Sequence, residues 1–441
     1  MTTTVPIETP APPDRPRGRW GLWAHGDFRR LWIGETTSTL GTAVGSVALS
    51  LVAVVTLGAG PLAVGVINAA AWLPWLFLGL PAGAWVDRWP RLRVMLVCDL
   101  LLLALFGSVP VAGWLGVLSL AQLAVVALLT GAVKVFFSTA YGALLPTLVA
   151  RADLLEANVK LRSGASAAEI AGPGVAGLLS QAFGAASGML ADSLTYLVSA
   201  VCLRRIGTEE RPPPVSERRG IPREIGEGVR FLLRDPYLRT LACFAAVGNL
   251  GLNGIQAVQT VFLVRSVGIE PGAVGGVFAL VSVGGLAGAM LAGRIARRLG
   301  TARALLVCEL VVAPFILLLP LAGERLPLVV SALAWAVAVC GVVAGNVLAG
   351  SFSQAYCPPE LIGRIRASSA TVNYSAIPVG ALLGGWLGEV IGARSTIWLM
   401  AGVLLSAGLV LLASPLRGLR DFPTRPSAPA ADPAPAPDPA A

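Results

Sequence analysis

The chain has 441 residues, 55% of them hydrophobic and 13% charged, with a mean hydropathy of +0.76. A soluble globule of this length carries roughly twice that share of charge, so the composition excludes one. The net charge of +9, from 33 basic and 24 acidic residues, fits positive flanks of membrane helices better than a nucleic-acid surface. A single histidine, His25, and six cysteines without a CxxC pair leave no basis for a multi-histidine metal centre or a disulfide framework, and neither metal nor cofactor is expected.

Residues 1–26 are rich in Pro, Thr and Arg and lack the apolar stretch of a signal peptide, so they read as a disordered tail. Twelve apolar runs follow, each near the roughly 20 residues a membrane helix needs. The first six are Leu31–Val55, Leu62–Val86, Val94–Ala112, Leu118–Tyr141, Leu161–Phe183 and Ala186–Leu203. The second six are Leu238–Val264, Ala273–Gly293, Ala304–Leu321, Leu326–Gly350, Ala367–Val390 and Thr396–Ala413. A polar linker, 204–237, separates them, and the Pro/Ala-rich stretch 416–441 reads as a second disordered tail. The expected fold is an all-α polytopic membrane protein with two six-helix bundles, 27–203 and 238–415.

Charge assigns orientation. With the N-terminus placed in the cytoplasm, 29 basic residues fall on the cytoplasmic side, and three (Arg265, Arg325, Arg394) fall opposite. Lys134 lies inside a span. That asymmetry satisfies the positive-inside rule and supports an even number of spans, with both termini in the cytoplasm of a bacterium. The halves also repeat. Leu96-Val97-Cys98-Asp99-Leu100 recurs 210 residues later as Leu306-Val307-Cys308-Glu309-Leu310, and Asp87-Arg88-Trp89-Pro90-Arg91 is echoed 206 residues later by Gly293-Arg294-Ile295-Ala296-Arg297. Six spans per repeat give both halves the same orientation, a parallel repeat of the kind found among secondary transporters.

Two motifs stand out. Gly83-x-x-x-Asp87-Arg88-x-x-Arg91 closes span two, where a two-state charge contact fits a tight loop, although a plain positive-inside loop also accounts for it. Span five carries Ala168-x-x-x-Gly172-Pro173-Gly174-Val175-Ala176-Gly177, either a hinge or generic small-residue packing. Span eleven repeats the idea in Pro378-Val379-Gly380 and Gly384-Gly385. In the linker, Ile225, Val229 and Leu232 share one face of a short amphipathic helix that suits the membrane surface.

These features resemble the major facilitator superfamily over about residues 27–415. The linker helix, Leu145-Pro146 and Gly363-Arg364 resemble its macrolide-efflux and enterobactin-export branch, proteins of the drug:proton antiporter type. The resemblance implies a conformational latch at Gly83, Asp87, Arg88 and Arg91, with Arg294 and Arg297 as its reduced second copy. It also implies an export-linked hinge at Gly172, Pro173 and Gly177.

Polar residues inside spans are costly and mark candidate sites. Span one carries Glu35, Thr39, Thr42, Ser46 and Ser50 on one face, and span four carries Thr130, Lys134, Ser138 and Tyr141. Span seven carries Asn249, Asn253, Gln256 and Thr260, and span ten adds Trp335 and Asn346. The family places these four spans around a central cavity, which makes the stripes cavity-lining; ordinary helix–helix hydrogen bonding is the competing account for the Ser and Thr positions. Candidates for proton coupling are Glu35, Lys134, Glu169 and Asp99. At about 1.5 Å per residue, Glu35 lies about 8 Å and Lys134 about 10 Å from the cytoplasmic end of its span, which suggests a pair. Asp99 and Glu309 are repeat-related on peripheral spans, which favours a structural role for both; Asp192, on span six, invites the same reading.

The expected function is export of small amphipathic molecules (a drug, antibiotic or siderophore-like compound) by alternating access, in exchange for protons. The expected protein is a monomer in the bilayer, with no nucleic-acid partner and no enzymatic activity. A proton-coupled nutrient importer and a transport-inactive sensor or scaffold are the alternatives. No GxxxxGK[ST] occurs, which disfavours an ATP-driven pump.

Overall fold

The computed structural model describes residues 21–86, 88–150, 153–207, 230, 232–357 and 362–423. Twelve long helical segments follow one another among them. The first six are α1 (Gly26–Leu51), α2 (Pro61–Val86), α3 (Arg91–Trp114), α4 (Leu120–Leu148), α5 (Leu154–Phe183) and α6 (Ala186–Arg204). The second six are α7 (Pro236–Val261), α8 (Pro271–Leu299), α9 (Thr301–Val307), α10 (Leu328–Tyr356), α11 (Ile362–Val390) and α12 (Ala393–Leu412). Helix α9 is prolonged by a π turn, Cys308–Val312, and a 3-10 stretch, Ala313–Leu321. Pro314 and Pro320 in that stretch lack the N–H an α-ladder needs. Ten segments are long and apolar enough to cross a membrane; α5 and α11, rich in Gly, Ser and Pro, do not reach that hydropathy.

The repeat seen in the letters recurs in the backbone at the same offset of 210. Helix α1 ends in a π turn, Val52–Thr56, and α7 in another, Phe262–Val267. Each π turn is followed by a glycine in the left-handed region, Gly58 at φ 63° and Gly268 at φ 78°. A side chain at either position would be strained. Each next helix then opens on a proline, Pro61 and Pro271, where a missing N–H costs nothing.

Helix pairing is duplicated too. In the first half α1 packs on α5 and α6, α2 on α4, and α3 on α4 and α6. In the second half α7 packs on α11 and α12, α8 on α10, and α9 on α10 and α12. The halves meet along α2–α11 and α5–α8, with a lesser contact of α2 on α7. At the end bearing the chain termini the buried apolar residues form two separate clusters. One holds Phe28, Met95 and Leu144 from the first half; the other holds Phe244, Leu305 and Leu411 from the second. At the opposite end a single cluster spans both halves, joining Leu51 and Leu123 to Ile255 and Phe262. The molecule is therefore closed at that end and split at the terminal end.

Helices extend beyond the apolar runs because hydrogen bonding continues where hydropathy stops. Helix α4 runs on to Leu148 and takes Leu145-Pro146, expected outside it, into its last turns. Helix α5 starts at Leu154, its first turns held by a 2.7 Å ion pair between Lys160 and Glu156. Of the amphipathic linker helix, Ile225 and Val229 lie outside the described residues, while Leu232 is buried beside Leu238.

Both tails begin later than composition suggests. Gly21–Ala24 is a 3-10 turn that buries Leu22. At the other end Phe422 stacks on Phe352 at 4.4 Å, and Asp421 accepts from the Thr301 backbone N–H at 2.9 Å. That contact satisfies an open donor at the start of α9. Asp421→Ala is expected to cost about 1 kcal/mol, read as a lower melting midpoint in detergent with transport retained.

Candidate functional site

Between the halves lies a cavity of about 510 Å³. Its polar wall is Thr42, Ser46 and Ser50 from α1, Thr130 and Lys134 from α4, and Gln256, Gln259 and Thr260 from α7. Helix α2 adds Asn68, Trp72 and Trp75, and Phe106 and Phe278 complete the apolar side. Trp72 and Trp75 both meet Tyr374 of α11, with ring centroids 5.8 and 5.1 Å apart, so an aromatic trio bridges the halves beside the cavity. Sequence reasoning looked only to spans one, four, seven and ten and missed α2. The signal was available in Asn68, a polar residue within an apolar run.

A smaller chamber of about 230 Å³ adjoins it inside the first half. Glu35, Ser38, Thr39, Asp99, Phe137, Ser138 and Tyr196 line it, and it shares Thr42, Trp75 and Lys134 with the larger cavity. The Thr42 and Tyr196 hydroxyls are 3.0 Å apart. Asp99 is fully buried, and neither of its carboxylate oxygens has a hydrogen-bond partner.

The expected Glu35–Lys134 pair is not formed: among the described residues no ion pair joins them. The acid whose charge acts on Lys134 is Asp192 of α6, whereas Glu35 feels Asp99. Asp192 is not peripheral. It is fully buried, and its carboxylate lies against Gly41 and Gly45, so close that a Cβ on Gly41 would stand 2.7 Å from one oxygen. Two glycines four residues apart make a notch in α1 through which an outer helix presents an acid toward α4. Glu309, the repeat partner of Asp99, is buried against Gly345 of α10, well away from this cluster.

Other sequence candidates lie elsewhere. Glu169 is exposed on α5 and does not join the chamber. Trp335 is not a cavity wall: it is 4% exposed, set edge-on to Phe278 at 5.8 Å, because the small residues around it let α10 and α8 close over the ring. Tyr141 stacks on Phe137 just outside the chamber, and Asn346 is exposed. Asn253 donates to the Asn249 carbonyl at 2.8 Å, and Asn249 reaches Asn373 of α11 at 3.5 Å, so both serve α7 and its neighbour. Ser46, Ser50 and Ser138 donate to carbonyls of their own helices while still lining cavities.

The glycine motifs form the seam. Gly172 lies against Ala43 of α1, and Gly177 against Gly272 and Gly275 of α8. On the related side Gly380 and Gly384 lie against Leu250 and Gly254 of α7, and Gly385 against Pro61 and Gly65 of α2. Backbones approach this closely only where side chains are absent. Polar contacts finish the closed end: Arg265 donates to the Ala59 carbonyl at 2.8 Å, and Gln181 to Glu270 at 3.2 Å. Of the latch residues, Asp87 lies outside the described residues. Gly83 faces open space, Arg88, Arg294 and Arg297 are exposed, and Arg91 donates to the Ala143 carbonyl at 3.2 Å, tying α3 to α4.

The arrangement matches known proteins. The multidrug efflux pump Tap of Mycobacterium tuberculosis is 28% identical over 382 residues, covering 82% of this chain and 87% of that protein. Among solved structures, one of the nucleoside transporter NupG superposes with a TM-score of 0.73 at 11% identity, over 88% of this chain and 99% of that one. A bacterial homologue of the iron transporter ferroportin, in an inward-facing state, superposes with a TM-score of 0.71 at 17% identity, over 88% and 98%. Residues 18–437 match the family described as transmembrane secretion effector. The chain therefore belongs to that family of the major facilitator superfamily, as a multi-pass membrane transporter and not an enzyme.

Proposed function

We propose that this protein exports small amphipathic compounds across the bacterial cytoplasmic membrane in exchange for protons, as a monomer with both termini in the cytoplasm. One observation carries the reading: a cavity between two similarly built halves, closed at one end by glycine seams and joined to a chamber holding unpaired carboxylates. With the termini cytoplasmic, the split end faces the cytoplasm and the state is open inward. Rocking of the 27–203 half against the 238–415 half about the α2–α11 and α5–α8 seams would expose the same cavity outward. The walls suit an amphipathic guest, with tryptophan and phenylalanine opposite threonine and glutamine. The relationship to Tap supports export over uptake.

The test is transport into inverted proteoliposomes with an imposed pH gradient and a panel of dyes, macrolides and siderophores. Gradient-dependent accumulation of at least one compound supports the reading. Accumulation that is indifferent to the gradient rejects proton exchange. Asp87→Asn is expected to keep near-normal abundance and lose most transport, because a short acid at a helix end suits a contact present in only one conformation. Full transport at equal expression would reduce the loop to a topology signal.

A further inference from the structure

We propose that the 230 Å³ chamber of the first half is a subsite for a cationic nitrogen, and that the compounds this transporter carries include monovalent amphipathic amines. This rests on the export reading above and narrows its substrate class.

Charge bookkeeping inside the first half leads there. Three acids and one base meet near the chamber: Glu35 from α1, Asp99 from α3, Asp192 from α6 and Lys134 from α4. Lys134 and Asp192 act on each other and offset one another. That leaves Glu35 and Asp99, both on the chamber wall, acting on each other as like charges. No other basic residue lines the chamber. Both oxygens of Asp99 are buried and without a hydrogen-bond partner. A carboxylate out of water is costly unless a cation or donors meet it, and an arriving cation would supply what Asp99 lacks.

The remaining walls say which kind of cation. Trp75, Phe137 and Tyr196 offer aromatic rings, which attract ammonium groups and give a bare metal ion no ligands. The volume suits a substituted ammonium group, not a whole drug-sized molecule, for which pockets run to roughly 300–1,000 Å³. The larger cavity opens beside it across Thr42, Trp75 and Lys134, with Trp72, Phe106 and Phe278 to receive an apolar body. Head in the chamber and body in the cavity is one continuous site.

The experiment compares benzyltrimethylammonium with its neutral carbon isostere, neopentylbenzene, by calorimetry on the intact protein in nanodiscs, corrected for uptake by empty discs. The ammonium is expected to bind at least ten-fold more tightly. Asp99→Asn and Glu35→Gln are each expected to weaken the ammonium about ten-fold and the isostere less than two-fold. The comparison of ligands on the unaltered protein holds even if a variant folds poorly. Equal affinities, or ammonium binding that survives both substitutions, overturn the proposal. So does displacement of the ammonium by millimolar sodium, which would make the chamber an inorganic-cation site. If neutral compounds are exported in the proteoliposome assay while the two probes bind alike, only the cation subsite fails. If nothing is exported either, the export reading fails with it.

Discussion

Gly385→Leu should abolish transport while leaving the protein inserted and abundant. A Cβ on Gly385 would stand 2.9 Å from the Pro61 carbonyl oxygen and 3.0 Å from the Gly65 Cα. Both are backbone atoms, so neither can turn aside as a side chain would. Overpacking of this kind costs about 1–3 kcal/mol. The strain falls only on the state whose seam is closed, so it shifts the balance between states instead of unfolding the helices. At about 1.4 kcal/mol per factor of ten, the upper figure depletes the closed seam roughly 100-fold. A transporter that cannot close its outer end cannot complete a cycle. Gly402→Leu is the control, because a Cβ there meets nothing within 4 Å. Export rate normalised to membrane abundance is the readout. Parental export by Gly385→Leu would show that the α2–α11 seam is not a moving part.

The twelve helices were legible because the bilayer leaves so little choice: each crossing needs a long apolar run, and every backbone group must be satisfied within it. The ends were not legible. The Lys160–Glu156 pair holds the first turns of α5 together without any apolar signal, and α4 carries Pro146 in its closing turns. Within the site, Glu35, Thr42, Thr130, Lys134 and Gln256 were visible as polar letters in apolar runs, and all line a cavity. Asp192 was misplaced for a definite reason. Position in the helix order says where a helix stands but not how deep its side chains reach. The depth is set by Gly41 and Gly45, and their four-residue spacing on α1 was a readable sign that something crosses there. Trp72 and Trp75 were missed because the cavity was assigned to four helices, whereas α2 forms both seam and wall.

Lys134→Ala should destabilise the first half strongly, and Asp192→Asn should restore much of what is lost. Asp192 is fully buried, its oxygens lie in the α1 notch without a hydrogen-bond partner, and the basic group acting on it is Lys134. Removing the base leaves that carboxylate uncompensated in a dry interior, a change worth roughly 3–5 kcal/mol for a buried pair in contact and less for one at longer range. Neutralising the acid as well removes the charge that was stranded. The double variant should therefore melt above Lys134→Ala alone, with a coupling energy on the order of 1–3 kcal/mol in a double-mutant cycle. The same cycle run with Glu35→Gln separates the two possible partners. Glu35 and Lys134 share the chamber wall without an ion pair, so Glu35→Gln should rescue Lys134→Ala far less than Asp192→Asn does. Thermal melting in detergent gives all six midpoints. Rescue by Glu35→Gln and none by Asp192→Asn would return Lys134 to Glu35, and would leave the acid in the notch a packing feature. Rescue by Asp192→Asn instead makes the notch an electrical link. The outer helix α6 then senses the charge state of the cavity wall through the gap that Gly41 and Gly45 leave in α1.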